Sequence, residues 1–184
     1  IAGGLGATPR ESDYLAWMVG NTAFGGTFTS WLMQEVRAKR GWSYGASSRI
    51  GYDLVPDAFT IQSAPAAPDA GPCLALLLEL SQRAKRVGLT EEDLAFTKNY
   101  LVRSHAFEID TARKRVSLPL EEAMFGVEIG QHARFCDRVR ALSLGEVNAA
   151  LARRMPDEDV VVAAVASRGG AHEALLGLLP WDSV

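Results

Sequence analysis

The apolar positions change their period several times along the chain, and each change marks an element. Leu15, Met18, Val19 and Thr22 recur at helical spacing. Thr8-Pro9-Arg10-Glu11 has helix-start chemistry, with a hydroxyl cap, proline in the first turn and glutamate three residues on, and Ser12-Asp13 is a rival start. Gly25-Gly26 predicts the helix end. A short helix is expected from Ser30 to Arg40, closed by Gly41. From Trp42 the period drops to two: Tyr44, Ala46, Ser48, Ile50 and Tyr52 alternate with Ser43, Gly45, Ser47, Arg49 and Gly51, as in a strand. A turn at 53–57, with Pro56, leads to a returning strand at 58–64, so the pair reads as an antiparallel hairpin.

The next stretch is mostly helical. After a Pro/Ala-rich loop at 65–72, Leu74 to Val87 is an apolar helix ending at Gly88. Thr90-Glu91-Glu92-Asp93 caps a long helix running to about Glu108. Asp110 or Thr111 starts another helix, interrupted near Pro119, and Gln131 to Leu142 follows. Ser143-Leu144-Gly145-Glu146 is a capping box for the next, which Pro156 and Asp157 stop. Val160 to Ala166 is a continuous apolar run, expected to be a buried strand, and Ala171 to Leu179 a last helix. Strands flanking a helical middle without regular βαβ alternation predict an α+β fold: one domain over 1–184, with helices packed on one face of a mainly antiparallel sheet.

Composition narrows the function. Apolar residues make up 48% and charged residues 22% of 184, an ordinary globular balance. A formal net charge of −3 gives no broad basic surface, which argues against nucleic acid as a partner. The longest apolar stretch, Cys73 to Leu78, is far too short for a membrane span. Cys73 and Cys136 lack metal-type spacing and read as half-buried thiols in helices, with a disulfide still open. The chain starts at Ile1 and stops at Val184 without an obvious final signal, so both ends read as cuts in a longer protein, with any targeting segment outside them.

Candidate chemistry is sparse. A zinc-peptidase helix of H-x-x-E-H type needs two histidines four residues apart, with a glutamate beside one to activate the bound water. His105 and Glu108 imitate its start, but Ile109 stands where the second histidine must be. His132 and His172 are isolated, so no metal site is expected in this chain. There is no Gly-x-Ser-x-Gly elbow. Gly3-Gly4-Leu5-Gly6 lacks the Lys-Ser/Thr of a phosphate loop and reads as a truncated strand end. The segment Glu35 to Tyr44 reads as a helix end, a glycine stop and a strand start. Its basic residues complement the carbonyl end of the helix. A second reading of that segment is open. Arg37 and Tyr44 lie seven apart across a sharp turn, which could present a guanidinium and a phenol on one surface, both able to donate to a peptide carbonyl or an oxyanion.

The run from Gly25 to Tyr44, GGTFTSWLMQEVRAKRGWSY, resembles the non-zinc domains of the pitrilysin/insulinase-type zinc peptidases, the family of insulin-degrading enzyme and mitochondrial processing peptidase. These carry Gly-Gly-(x)-Phe-x-Ser-x-Leu and then Glu-x-Arg-(x)-Lys-x-Gly-Leu-x-Tyr; Trp42 here replaces the leucine. Gly88 to Leu94 is similar to the family's G-[IL]-T-x-x-E-L helix start, with Asp93 in place of glutamate. The capping box at Ser143 and the strand at Val160 fall where the family has its closing helix and final strand.

The resemblance implies a mitochondrial processing peptidase-like metallohydrolase fold and a clamshell of two homologous domains, one bearing zinc. It also implies that Arg37 and Tyr44 face that metal, Tyr44 as donor to the substrate carbonyl or oxyanion and Arg37 as a carbonyl clamp. No cofactor is expected in this chain; zinc is expected in a partner domain or subunit. The other partner is a peptide or unfolded polypeptide, and a homodimer is a further arrangement. Bacterial relatives are often periplasmic, so the compartment stays open with the bacterial periplasm as a candidate. The alternative is a scaffold or assembly domain without a peptidase role, like the core proteins of a respiratory complex. A third is an interaction module using the edge of the Tyr44–Ala64 hairpin.

Overall fold

The computed structural model describes residues 1–157, 160–165 and 175. Its centre is a four-stranded antiparallel sheet. The strands are β1 (Ala2–Leu5), β2 (Ala46–Arg49), β3 (Ala58–Ser63) and β4 (Val161–Val162), in the order β2-β3-β1-β4. The hairpin forms as the alternation predicts, with Ala46 opposite Ser63 and Arg49 opposite Thr60. Phe59, Ile61, Ala46 and Ser48 are buried while Gln62 and Arg49 are exposed, so one face of the sheet is covered by helices. The strand itself is shorter than expected: Trp42 to Gly45 approach it as a loop.

Two expectations about strands meet the structure. The glycine-rich start is a strand, and a central one, with β1 paired to β3 on one side and to β4 on the other. The run from Val160 is not buried where it is described. β4 lies at the sheet edge, and Val161 and Val165 are exposed. Ala166 and the expected helix at 171–179, apart from Leu175, lie outside the described residues.

Among the described residues six α-helices accompany the sheet: α1 (Tyr14–Asn21), α2 (Ala70–Arg86), α3 (Glu91–Glu108), α4 (Ala112–Phe125), α5 (Phe135–Ala141) and α6 (Leu144–Arg154). Asp13, the rival start, precedes α1, while Thr8 and Glu11 close a tight turn of their own, the Thr8 N–H donating to Glu11 Oε1 at 2.9 Å. The Thr90/Asp93 and Ser143/Glu146 capping boxes form in full. Helix α2 begins four residues earlier than the apolar run, because Pro72 sits in its first turn, where the missing N–H costs nothing. Helix α4 runs straight through Pro119. The carbonyl that loses its partner belongs to Arg115, on an exposed turn, so water replaces the bond. Helix α5 is shorter than the expected 131–142, since Gly130, with φ +85°, holds the chain in turns up to Arg134.

Trp17 of α1 is fully buried, its ring 5.5 Å from that of Phe59. Phe24, Leu32, Leu77, Leu80 and Leu151 extend the same core. Asp13 ties α1 to α6: Arg153 reaches it at 3.0 Å and Arg154 at 2.6 Å, while Arg154 also pairs with Glu11. Burial pushes the Asp13 carboxyl upward, but the hydrogen bonding to Arg154 together with the charges of Arg154 and Arg153 holds the group below its ordinary value.

Candidate functional site

Arg37 and Tyr44 meet because the helix before Gly41 widens and then reverses. Helical residues begin at Trp31, and Met33–Ala38 form a π-helical turn in which the Lys39 N–H donates to the Gln34 carbonyl at 2.9 Å. Such wide turns rotate the side chains that follow and are frequent at functional positions. Leu32, Met33 and Val36 anchor the inner side of this helix in the core. Gly41, at φ +64°, then supplies the left-handed residue that stops it, and the Trp42 N–H closes back on the Val36 carbonyl at 3.1 Å.

The next residues fix the phenol. Ser43 is buried, and its hydroxyl donates to the Gly45 carbonyl at 2.8 Å while accepting from the Ala64 N–H at 3.3 Å. Tyr44 is therefore turned outward and is 83% exposed. The Arg37 guanidinium carbon sits 4.6 Å from the Tyr44 ring centroid and 6.0 Å from that of Phe28. That is cation–π stacking, not a hydrogen bond between the pair. The donors of both groups stay available to a third molecule.

Electrostatics favours the same availability. Glu35, the nearest acid in sequence, is occupied: Lys39 Nζ lies 2.5 Å from one oxygen and Arg40 Nη1 2.6 Å from the other. Those hydrogen bonds hold the Glu35 carboxyl below its ordinary value. Among the described residues Arg37 makes no ion pair and no side-chain hydrogen bond. Lys39 and Arg40 thus play the charge-capping role that sequence also suggested for Arg37, and Arg37 is left over.

The support beneath the pair is rigid. Asn21 and a second π-helical turn, Thr22–Gly26, lie under β2, and the Ser48 hydroxyl donates to Asn21 Oδ1 at 2.5 Å. A Cβ on Gly25 would stand 2.2 Å from Ser48 Oγ and 2.6 Å from its N, so only glycine allows this approach. The loop from Thr27 to Ser30 then carries Phe28, 75% exposed, against Arg37. Phe28 is part of the arrangement although sequence reading assigned it no role.

The remaining candidates are structural. His105 lies on α3, its ring stacked 4.8 Å from Phe135, and burial lowers its pKa. His132 donates its backbone N–H at 2.8 Å to Glu122, and its Nε2 is buried without a partner among the described residues. His172 lies outside the described residues. Cys73, in α2, is buried and its thiol pushed up by burial; Cys136 lies in α5, and both are free. Among the described residues no three His, Cys, Asp or Glu side chains converge on a point that could hold a metal ion, and no helix is long and apolar enough to cross a membrane.

Fold and surface together define an α+β domain that carries an arginine–tyrosine stack at its surface. A model of the peptidase M16 inactive domain matches residues 3–101, and the chain belongs to that family. No curated protein matches it. Among solved structures, it is similar to the peptidase M16 inactive domain from Pseudomonas fluorescens, with 25% identity and a TM-score of 0.76 over 86% of this chain and 38% of that one. It is also similar to the inactive peptidase domain of a candidate zinc protease from Bordetella parapertussis, with 15% identity, a TM-score of 0.70 and 87% of each chain covered. A chain of complex III from Candida albicans shares the fold, with 13% identity and a TM-score of 0.71 over 87% of this chain and 40% of that one. The chain thus spans well under half the length of the first and third of these. The resemblance read from Gly25 to Tyr44 therefore holds, as does the α+β fold it implied.

Proposed function

We propose that this domain is the substrate-gripping half of a zinc endopeptidase, working only when a zinc-bearing homologous domain or subunit closes over it. The observation that carries this reading is the Arg37–Tyr44 stack. Tyr44 is exposed and Arg37 half-buried, Arg37 is free of ion pairs among the described residues, and the stack stands on a part of the chain fixed by buried anchors. Tyr44 Oη donates to the carbonyl of the scissile peptide bond, and to its oxygen as charge develops in the tetrahedral state. Arg37 holds a neighbouring backbone carbonyl. Zinc belongs to the partner and supplies the activated water; this chain contributes position and hydrogen-bond donors. The substrate is a peptide or an unfolded polypeptide.

The test is reconstitution. The chain is mixed with its zinc-bearing half and peptide cleavage is followed for the parent, Tyr44→Phe and Arg37→Ala. Removal of one oxyanion donor should lower the rate by roughly 10²–10³. Unchanged kinetics in both variants would end the idea.

A second reading, a scaffold domain without peptidase role, has one observation in its favour: the shared fold with a chain of a respiratory complex. A scaffold has no use for an exposed arginine–tyrosine stack kept clear of Glu35, so this reading ranks second.

A further inference from the structure

Beside the stack lies a cleft of about 250 Å³ that no part of the proposed chemistry uses. Its walls come from the Thr27–Ser30 loop, through Thr27, Thr29 and Ser30, and from the first turns of α3, through Glu92, Phe96 and Tyr100. The loop is shared with the stack: Phe28 turns to Arg37, and its neighbours turn to the cleft. The space is large enough for one long side chain.

The lining selects by charge. Phe96 and Tyr100 are one helical turn apart on α3, so their rings stand on one face, 55% and 45% exposed. Among the described residues neither ring has a cation or another ring against it. Glu92 is exposed and, among the described residues, unpaired, whereas Asp93 is already taken by the Trp31 indole N–H at 3.1 Å and by the Thr90 cap. Ser30 is buried in the wall, and its hydroxyl has no hydrogen-bond partner among the described residues, an unmet demand beside the cleft. The chain also supplies an internal example of what such walls hold. Trp31, on the cleft's edge, carries the Arg83 guanidinium 4.5 Å from its ring centroid, with Asp93 alongside.

We infer that the cleft receives a cationic side chain, lysine or arginine, of the polypeptide held at Arg37 and Tyr44, stacked by Phe96 and Tyr100 and paired with Glu92. This rests on the polypeptide-gripping reading above. A neutral residue can lie on the rings but gains neither the cation–π attraction nor the ion pair, and an acidic one is repelled by Glu92.

The test uses the 184-residue chain itself. Three labelled unstructured peptides, identical but for one central arginine, citrulline or glutamate, are titrated by fluorescence anisotropy at low ionic strength. The arginine peptide should bind about fivefold to tenfold more tightly than the citrulline one, the scale of one cation–π contact plus one exposed ion pair. Glu92→Gln and Phe96→Ala, both surface changes, should erase most of that preference, while Arg37→Ala weakens all three peptides alike. Equal affinity for the three peptides, with Arg37→Ala still weakening them, overturns the cleft and spares the gripping role. A preference that survives both cleft variants also overturns it, because the cation is then bound elsewhere. A preference lost in the cleft variants but with binding indifferent to Arg37→Ala and Tyr44→Phe overturns the gripping role and spares the cleft. No binding of any peptide overturns both.

Discussion

The stretch from the first strand to the middle of α3 and the stretch that follows it, Val102 to Ser143, are held together by different physics. The first contains Trp17, Phe24, Leu32, Val36, Phe59 and Ile61, all fully or almost fully buried. In the second only Glu122 and Val139 are buried. Val116, Leu120 and Met124, at helical spacing on α4, face outward, 73%, 59% and 61% exposed, while Val102, Phe135 and Leu142 are partly buried against the core. Much of what fixes this second region is polar. Glu122 accepts the Gly130 N–H at 2.6 Å and the His132 N–H at 2.8 Å, and the Lys98 ammonium donates to the carbonyls of Arg140, at 3.0 Å, and Leu142. The family match runs from residue 3 to 101 and so stops where this polar stretch begins, while the core itself resumes in α6 at Val147 and Leu151. The difference teaches where a composite site can be built. Arg37 and Tyr44 stand on the apolar part, beside the buried Leu32, Met33, Val36 and Ser43.

Breaking the apolar side should have the largest effect. Trp17→Ala removes a fully buried ring that touches Phe59, and should cost about 3–5 kcal/mol in chemical denaturation, much of the stability of a domain this size. The polar side should yield less and yield locally. Glu122→Ala strands the part-buried N–H groups of Gly130 and His132, at about 1–3 kcal/mol. Amide exchange should accelerate at 127–132 while the hairpin stays protected.

The same carboxylate sets a pH dependence. Burial raises its pKa, but the His132 and Gly130 N–H donors outweigh burial and hold it below the ordinary 4.5. A depressed carboxylate stabilises fully above that ordinary value, and its contribution is lost as pH falls through the lower folded value. Stability should therefore decline on acidification below about 4.5, and the decline should flatten in Glu122→Gln, as read from urea midpoints across pH.

A smaller effect tests the turn itself. Gly41 has open space around it, so Gly41→Ala meets no clash and pays only for its φ of +64°. The expected cost is about 1–2 kcal/mol. Because the turn sets the distance between Arg37 and Tyr44, peptide affinity should fall with it.

Much of this was legible in the sequence where local chemistry decides the structure. The Thr90 and Ser143 caps, the Gly41 stop and the 46–63 hairpin follow from side chains and period alone. The misreadings share a cause, which is that exposure and sheet order are tertiary. Val160 to Ala166 reads as buried because it is apolar, yet an edge place in the sheet leaves Val161 uncovered. Pro119 reads as a break, yet an exposed helix can let water serve the freed carbonyl. Of the site, Arg37 and Tyr44 were visible through spacing and family pattern. Phe28 was not, because nothing local says that a loop aromatic will reach a guanidinium. The division of labour around Glu35 was also hidden, since three basic residues in one helix end look equivalent until Lys39 and Arg40 are seen to occupy it.

The most direct measurement is the single-turnover cleavage rate of Tyr44→Phe in the reconstituted pair of halves, taken beside the thermal midpoint of the same variant. Tyr44 is exposed and its hydroxyl bonds to no described residue, so the midpoint should not move beyond what a surface change gives, about ±0.5 kcal/mol. The rate should fall by roughly 10²–10³. A rate equal to that of the parent, in a pair shown to assemble, would contradict the composite site.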